Sequence, residues 1–351
     1  MKRRSFMANA GGAALAGAGS MAAGRAFAQA TPQFKLKLHH LLGPKAPAHT
    51  MMLVPWAERV AKATGGRVQI DIFPSMSLGG KPPDLIKQVR DGVVDLVWTV
   101  NGYTPALFPR SEAFELPFVH TNNLQATNLA MREMFDKYLA PEYGGVKVMW
   151  LHVHAGQGIH MVDTPVRSPD DLKGKKIRIP SRTGAWILEA LGATPVGMPV
   201  PDLPQALSKK VVDGALVPWE IIGPLKLHEL TKYQIEGKGR IRFGTTTFQV
   251  SMNEAKWKSL PADIQKAIMD VTGESWWREV GTIWTKSEDV GIALVKKAGH
   301  TVIELDDKEM AAFRTKLEPV VDRWIKEVSS KDINGKELVD VARQTIAKYS
   351  K

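Results

Sequence analysis

Two stretches of this chain follow one plan. Leu85 to Val100 (LIKQVRDGVVDLVWTV) and Leu203 to Pro218 (LPQALSKKVVDGALVP) each carry an apolar helical face, then Val-Val-Asp, then an apolar strand. Ten residues separate Leu85 from Asp95, and ten separate Leu203 from Asp213. A strand and a Pro-rich loop precede each copy, Val68 to Pro83 in the first and Val196 to Pro201 in the second. One helix-turn-strand likeness is common in α/β proteins. Shared order, spacing and context predict two lobes built alike.

The surrounding patterns agree with that expectation. Phe34 to Leu38 and Val68 to Phe73 alternate as strands, and a helix from His49 to Lys62 lies between them, stopped by Gly65-Gly66. This βαβ opening predicts a largely parallel first sheet. An apolar strand from Val146 to Val153 runs into glycines near Trp150 to Gly158, where the chain is expected to cross between lobes; a return crossing is expected near Ile241 to Val250. Two lobes joined by extended crossings form a hinged clamshell, whose cleft is the default ligand site. After Pro261 a helical pattern continues to Lys297, about 50 Å if unbroken, long enough to brace both lobes, with Gly273 and Gly281 as its weak points. Helices follow over Lys308 to Val328 and Lys336 to Tyr349. The expected organisation is 31–156 with about 243–283 as one lobe, about 157–242 with about 284–330 as the other, and about 331–351 as a terminal helix.

Residues 1–30 read as an export signal: Lys2, Arg3 and Arg4, a small apolar run from Met7 to Ala23, and Ala28-Gln29-Ala30 before a cleavage site at Thr31. Arg3-Arg4-Ser5-Phe6 fits the twin-arginine pattern; an ordinary secretory signal is the alternative. A run this rich in Ala and Gly favours release over anchoring. Cysteine is absent from the sequence, which removes thiol catalysis, cysteine-held zinc and iron–sulfur clusters. Of the formal charge of +11, four cations lie in the first thirty residues, so the remainder carries +7. Lys and Arg are interspersed with acids along amphipathic segments, which speaks against a nucleic-acid stripe and for a solvated surface that mildly favours anions.

No phosphate-cradling Gly-x-Gly-x-x-Gly, P-loop or Gly-x-Ser-x-Gly elbow is present. His152 and His154 fall on one face of a strand and, with His160, form the nearest approach to a metal set. No carboxylate falls between Glu142 and Asp163 to complete it, so hydrogen-bonding or cleft-lining histidines are expected, with no metal or cofactor. His39 and His40 end the first strand; alternation lets one of them face the cleft. Trp98, Trp150, Trp186 and Trp219 sit near strand ends or crossings, each a candidate for core or pocket.

The runs GGRVQIDIFPSMSLGG (65–80), DGVVDL (91–96), ELPFV (115–119), DLKGKKIRIP (171–180), LGATPVGMPVPDLPQALSKKVVDG (191–214) and SLPADIQKAI (259–268), in that order and spacing, resemble the solute-binding proteins of TRAP transporters, the DctP family. The resemblance spans the mature chain. It implies an α/β two-lobed periplasmic binding protein clamshell, a periplasmic location, a small organic acid bound through its carboxylate, and separate membrane permease subunits as partners; the sequence leaves the oligomeric state open, with a monomer the expectation. The arginine of the family's Lys-Ile-Arg-Ile-Pro strand clamps the carboxylate, and here it is Arg178. A guanidinium suits that task because its parallel donors match two carboxylate oxygens.

Two departures from the pattern bear on the ligand. By alignment, Gly158-Ile159-His160 stands where sialic-acid-like or dicarboxylate binders have Gly-x-Arg, so His160 replaces an arginine. Where relatives have Gln-Glu-Asn-Pro, this chain has Ala215-Leu216-Val217-Pro218, so Val217 replaces a polar amide. Both changes predict a less polar pocket and a monocarboxylate with an apolar or aromatic body, over a sugar acid or C4-dicarboxylate. In a two-lobed plan Val217 and Trp219 face Asn101, Gly102 and Tyr103 across the cleft, with His40, Gln157 or His160 meeting a further polar group. The alternative for Trp219 is the core of the second lobe. Two rival functions stand beside the transport reading: a periplasmic receptor feeding a sensor kinase, and a periplasmic enzyme.

Overall fold

The computed structural model describes residues 31–351, so the expected leader over 1–30 lies outside the described residues. In the first lobe Phe34–His40 (β1), Val54–Ala63 (α1), Val68–Phe73 (β2), Leu85–Arg90 (α2) and Leu96–Val100 (β3) form successive parallel units. Leu124–Met134 (α3) follows, then Val146–Val153 (β4), after which the chain crosses to the second lobe. There Gly158–Met161 (β5), Lys176–Ile179 (β6), Arg182–Ala190 (α4), Thr194–Gly197 (β7), Leu203–Ser208 (α5), Gly214–Val217 (β8) and Tyr233–Gly237 (β9) are laid down. The chain then returns as Thr247–Asn253 (β10), Glu254–Ser259 (α6) and Ala262–Asp270 (α7). Glu274–Lys297 (α8) leads to Thr301–Leu305 (β11), and Asp307–Ser329 (α9) and Gly335–Tyr349 (α10) close the fold.

The sheet orders are β2-β1-β3-β10-β4 and β11-β9-β5-β8-β6-β7. Each sheet is parallel except for one strand: β10 runs antiparallel between β3 and β4, and β5 runs antiparallel between β8 and β9. Both reversed strands directly follow a crossing, because a chain arriving from the other lobe enters the sheet from its far end. The repeated segments are α2–β3 and α5–β8, and their aspartates do the same work. Asp95 accepts from the Lys37 amide at 2.8 Å, and Asp213 accepts from the Lys176 amide at 2.8 Å. Each carboxylate thereby ties the start of its strand to the neighbouring parallel strand, β1 or β6.

The two crossings lie side by side and bond to each other. The Gln157 amide donates to the Gly244 carbonyl at 2.8 Å, and the Phe243 amide donates to the Gln157 carbonyl at 3.2 Å. Gly156 permits this approach: its φ is +99°, and a Cβ there would fall 2.4 Å from the Arg242 side chain.

The helical run expected from Ala262 to Lys297 is divided, since Gly273 has extended backbone and caps α8. Gly281 does not break the helix; it lets α8 lie against the Gln125 backbone, where a Cβ would come within 2.8 Å. As expected, α8 braces both lobes. Trp276 packs on Trp150 of the first lobe at 5.6 Å, and Gly291 abuts Trp219 of the second, where a Cβ would sit 2.0 Å from the Trp219 carbonyl oxygen. Gly291→Ala is therefore expected to lower the free energy of unfolding by about 1–3 kcal/mol, read from urea denaturation. An unchanged midpoint would show that helix and turn part without cost. Downstream, α9 packs on α4 and α10 on α3, so the C-terminal helices also touch both lobes.

Candidate functional site

Parallel strands end where loops are free to hold ligands, and the C-terminal ends of β1, β3, β6 and β8 converge on one cavity between the lobes. From the first lobe it is lined by Leu41, Leu42, Trp98, Val100, Tyr103, Phe248 and Trp284; from the second by Arg178, Leu216, Pro218, Glu220 and Ile221; and from the crossings by His154 and Gln157. The lobes touch across its mouth. The Val200 amide donates to Tyr103 Oη at 2.8 Å, Thr183 donates to Glu115 at 2.9 Å, and Arg182 donates to Glu112 at 2.5 Å.

Arg178 is 2 % exposed. Its Nε donates to the Met198 carbonyl at 3.0 Å and Nη1 to the Leu216 carbonyl at 3.2 Å, while Nη2 is buried with no protein partner. Two anchored nitrogens fix the plane of the guanidinium, and the third donor is left for a guest. Burial pulls its pKa below the usual arginine value against the support of Tyr103 and Asp202; the group nonetheless stays charged. The other titratable groups on the wall are all shifted toward their neutral forms. Burial, then the fields of His120, His152, Arg242 and Arg178, holds His154 well below its ordinary value. Burial raises Tyr103, and burial with the neighbouring Glu288 raises Glu220 well above the carboxylate range. Among the described residues, Arg178 is the one arginine or lysine on the cavity wall.

The first-lobe wall is aromatic. Trp98 and Phe248 stack at 5.3 Å with 3° between planes, and Trp284 lies 6.2 and 5.7 Å from them. His152 stacks behind Phe248 at 4.7 Å, its Nε2 accepting from Trp98 Nε1 at 2.9 Å. That bond aims the indole and uses the imidazole nitrogen that a metal would need. Among the described residues no three His, Cys, Asp or Glu side chains converge as a metal set.

Of the residues singled out from the sequence, Arg178, Tyr103 and Gln157 meet on the cavity wall. Gln157 donates to Thr246 Oγ1 at 2.9 Å, leaving its Oε1 buried and without a partner. Trp219 and Val217 are fully buried on the opposite face of their segment. Alternation along β8 sends Leu216 to the cavity and Val217 away from it, and in the turn that follows Pro218, Glu220 and Ile221 face the cavity while Trp219 does not. Trp219 packs in the second lobe's core, donating to Glu236 at 2.6 Å and meeting His160 edge-on at 5.0 Å.

His160 Nε2 bonds the Val217 carbonyl at 3.1 Å; burial and Arg242 push its pKa down to about 3. Asn101 is spent on Tyr143 and Gln249, at 2.9 and 2.7 Å. His40 bonds His49 at 2.9 Å, and burial, then His49, lowers its pKa to about 3. These five residues sit one layer behind the wall. Sequence reasoning did not single out Glu220, Phe248, Trp284 or the leucine pair 41–42 for the pocket. Trp98 it left undecided between core and pocket.

The bacterial extracellular solute-binding protein, family 7, model matches residues 38–327. Among solved structures the chain is similar to a marine metagenome TRAP solute-binding protein specific for aromatic acid ligands, in complex with metahydroxyphenylacetate. The two are 40% identical with a TM-score of 0.88, over 91% of this chain and 100% of that one. A TRAP solute-binding protein from Rhodoferax ferrireducens in complex with copurified benzoate is 36% identical with a TM-score of 0.87, over 90% and 98% of the two chains. One from Bordetella bronchiseptica with bound (R)- and (S)-mandelate is 25% identical with a TM-score of 0.83, over 90% and 99%.

Proposed function

The chain belongs to the bacterial extracellular solute-binding protein family 7, the solute receptors of TRAP transporters, and from that premise we propose that it captures an aromatic monocarboxylate in the periplasm and delivers it to a membrane permease. The observation that carries the ligand class is the pairing of one unpartnered guanidinium nitrogen with a flat aromatic wall in a cavity whose one arginine or lysine is Arg178. A second carboxylate, as in succinate, would be buried there without a cation, at a cost of several kcal/mol. A sugar acid would set its hydroxyls against Trp98, Phe248 and Trp284, which offer them no matching acceptors. The aromatic acids bound by the three similar proteins support the same reading. In it, Arg178 fixes the carboxylate with Tyr103 beside it, Gln157 offers its free Oε1 to a further polar group of the ligand, and Trp219, Val217, Asn101, His40 and His160 hold the wall in shape from behind. The lobes hinge at the paired crossings around residues 154–157 and 238–246. The receptor acts as a monomer.

A thermal-shift panel tests the proposal. At a hundredfold excess over Kd a ligand adds about 2.7 kcal/mol to the folded state, so benzoate, 3-hydroxybenzoate or mandelate is expected to raise the unfolding temperature while succinate, malate and glucuronate leave it in place. A shift with the dicarboxylate or sugar acid and none with the aromatic acids would overturn the ligand class.

A further inference from the structure

The cavity wall carries a carboxyl group that capture of a monocarboxylate does not use. Glu220 lies in the turn Trp219–Ile221 that follows β8, is 5 % exposed and lines the cavity. Its Oε2 is buried without a hydrogen-bond partner, although a cation stands close by: Arg242 is already committed to Glu236 and Glu288. Glu288 Oε1 is likewise buried without a partner, but only Glu220 lines the cavity, and an orphaned polar atom there marks a place where a ligand atom completes the pairing.

Arg178 reaches the cavity from β6 and Glu220 from the turn after β8. The charges that act on Glu220 are those of Glu288 and Arg242, whereas those acting on Arg178 are Tyr103 and Asp202. With the carboxylate held by Arg178, the Glu220 oxygen is left to meet another part of the ligand. Burial and Glu288 raise the pKa of the side chain well above its ordinary value, which favours the form with both an O–H to donate and a carbonyl oxygen to accept with. It repels no anion in that state.

Resting on the aromatic-acid reading, we infer that Glu220 is a specificity residue that hydrogen-bonds a hydroxyl on the ligand's ring, making the receptor selective for hydroxylated aromatic acids over their unsubstituted parents. Without that hydroxyl the Glu220 oxygen stays unpaired in the closed cavity. Selectivity then arises from the penalty on the bare ring as well as from the bond made to the substituted one.

Calorimetry of benzoate and the three monohydroxybenzoates, with wild type, Glu220→Gln, Glu220→Leu and Glu220→Met, tests this. Wild type is expected to bind at least one hydroxy isomer about tenfold more tightly than benzoate. Glu220→Gln keeps that ratio, because its neutral amide also donates and accepts. The Leu and Met variants, two shapes so that misfolding of one does not decide the outcome, should bring the ratio to within about threefold of unity. A ratio preserved in the apolar variants would pass the hydroxyl to Gln157 Oε1 and overturn the assignment, as would a wild type indifferent to the hydroxyl. If wild type binds none of the four acids yet binds a non-aromatic acid, the aromatic reading fails and takes this inference with it.

Discussion

Arg178→Ala is expected to weaken binding of the captured acid by about 2–5 kcal/mol, roughly thirtyfold to several thousandfold in Kd, with the fold intact by circular dichroism. The size of the effect follows from geometry. Arg178 is the one cation on the cavity wall, so its removal leaves a desolvated carboxylate facing Trp98, Phe248 and Leu216 with no charge to meet it. Arg178→Lys should recover little. An ammonium keeps the charge but cannot hold the Met198 and Leu216 carbonyls and still present a coplanar donor to the guest. Near-normal affinity of either variant by calorimetry would remove Arg178 from the anchor role.

The second large effect lies beneath the cavity. Arg242, on the return crossing, reaches Glu236 of β9 and Glu288 of α8, and all three side chains are almost fully buried. Glu236 also holds the Trp219 indole. Arg242→Ala is expected to cost about 3–5 kcal/mol of folding stability, because it strands two carboxylates in the interior. Burial already holds the Glu288 carboxyl above its usual range against the pull of Arg242, and without the guanidinium nothing offsets that burial. Replacing all three residues with apolar ones of similar size should return most of the loss, since the network's desolvation cost goes with it. Urea unfolding of the single and triple variants decides; a single variant within about 1 kcal/mol of wild type would mean that water reaches the cluster.

The lobes could be read from the sequence because the repeat rests on local chemistry, while the position of Arg178 on the cavity wall followed from the family's Lys-Ile-Arg-Ile-Pro strand. The Val-Val-Asp repeat survives as a pair of strand-tying aspartates, and Arg178 stands at a strand end with a side chain suited to few other tasks. The aromatic wall was less legible for a physical reason. Residues 216–220 alternate between cavity and core, so a one-residue choice of phase separates Trp219, which packs inward, from Glu220, which faces the guest. Sequence offers no signal for that phase, since both faces are buried and neither alternates with polar residues. The reversed strands β5 and β10 were equally hidden, because strand direction follows from where a crossing enters a sheet and not from composition. Phe248 and Trp284 come to Trp98 from positions roughly 150 and 190 residues away in sequence, a meeting that only the folded topology brings about.

The placement of β10 between β3 and β4 also sets a schedule for the chain's manufacture. When Val153 leaves the ribosome the first lobe holds four of its five strands, yet the edges of β3 and β4 have nothing between them until Thr247 to Asn253 is made. At 5–20 residues per second that interval lasts roughly 5 to 20 seconds. Throughout it, two apolar edges stand open as templates for wrong pairing. A product that stops short of residue 247 is accordingly expected to aggregate and not to persist as half a receptor.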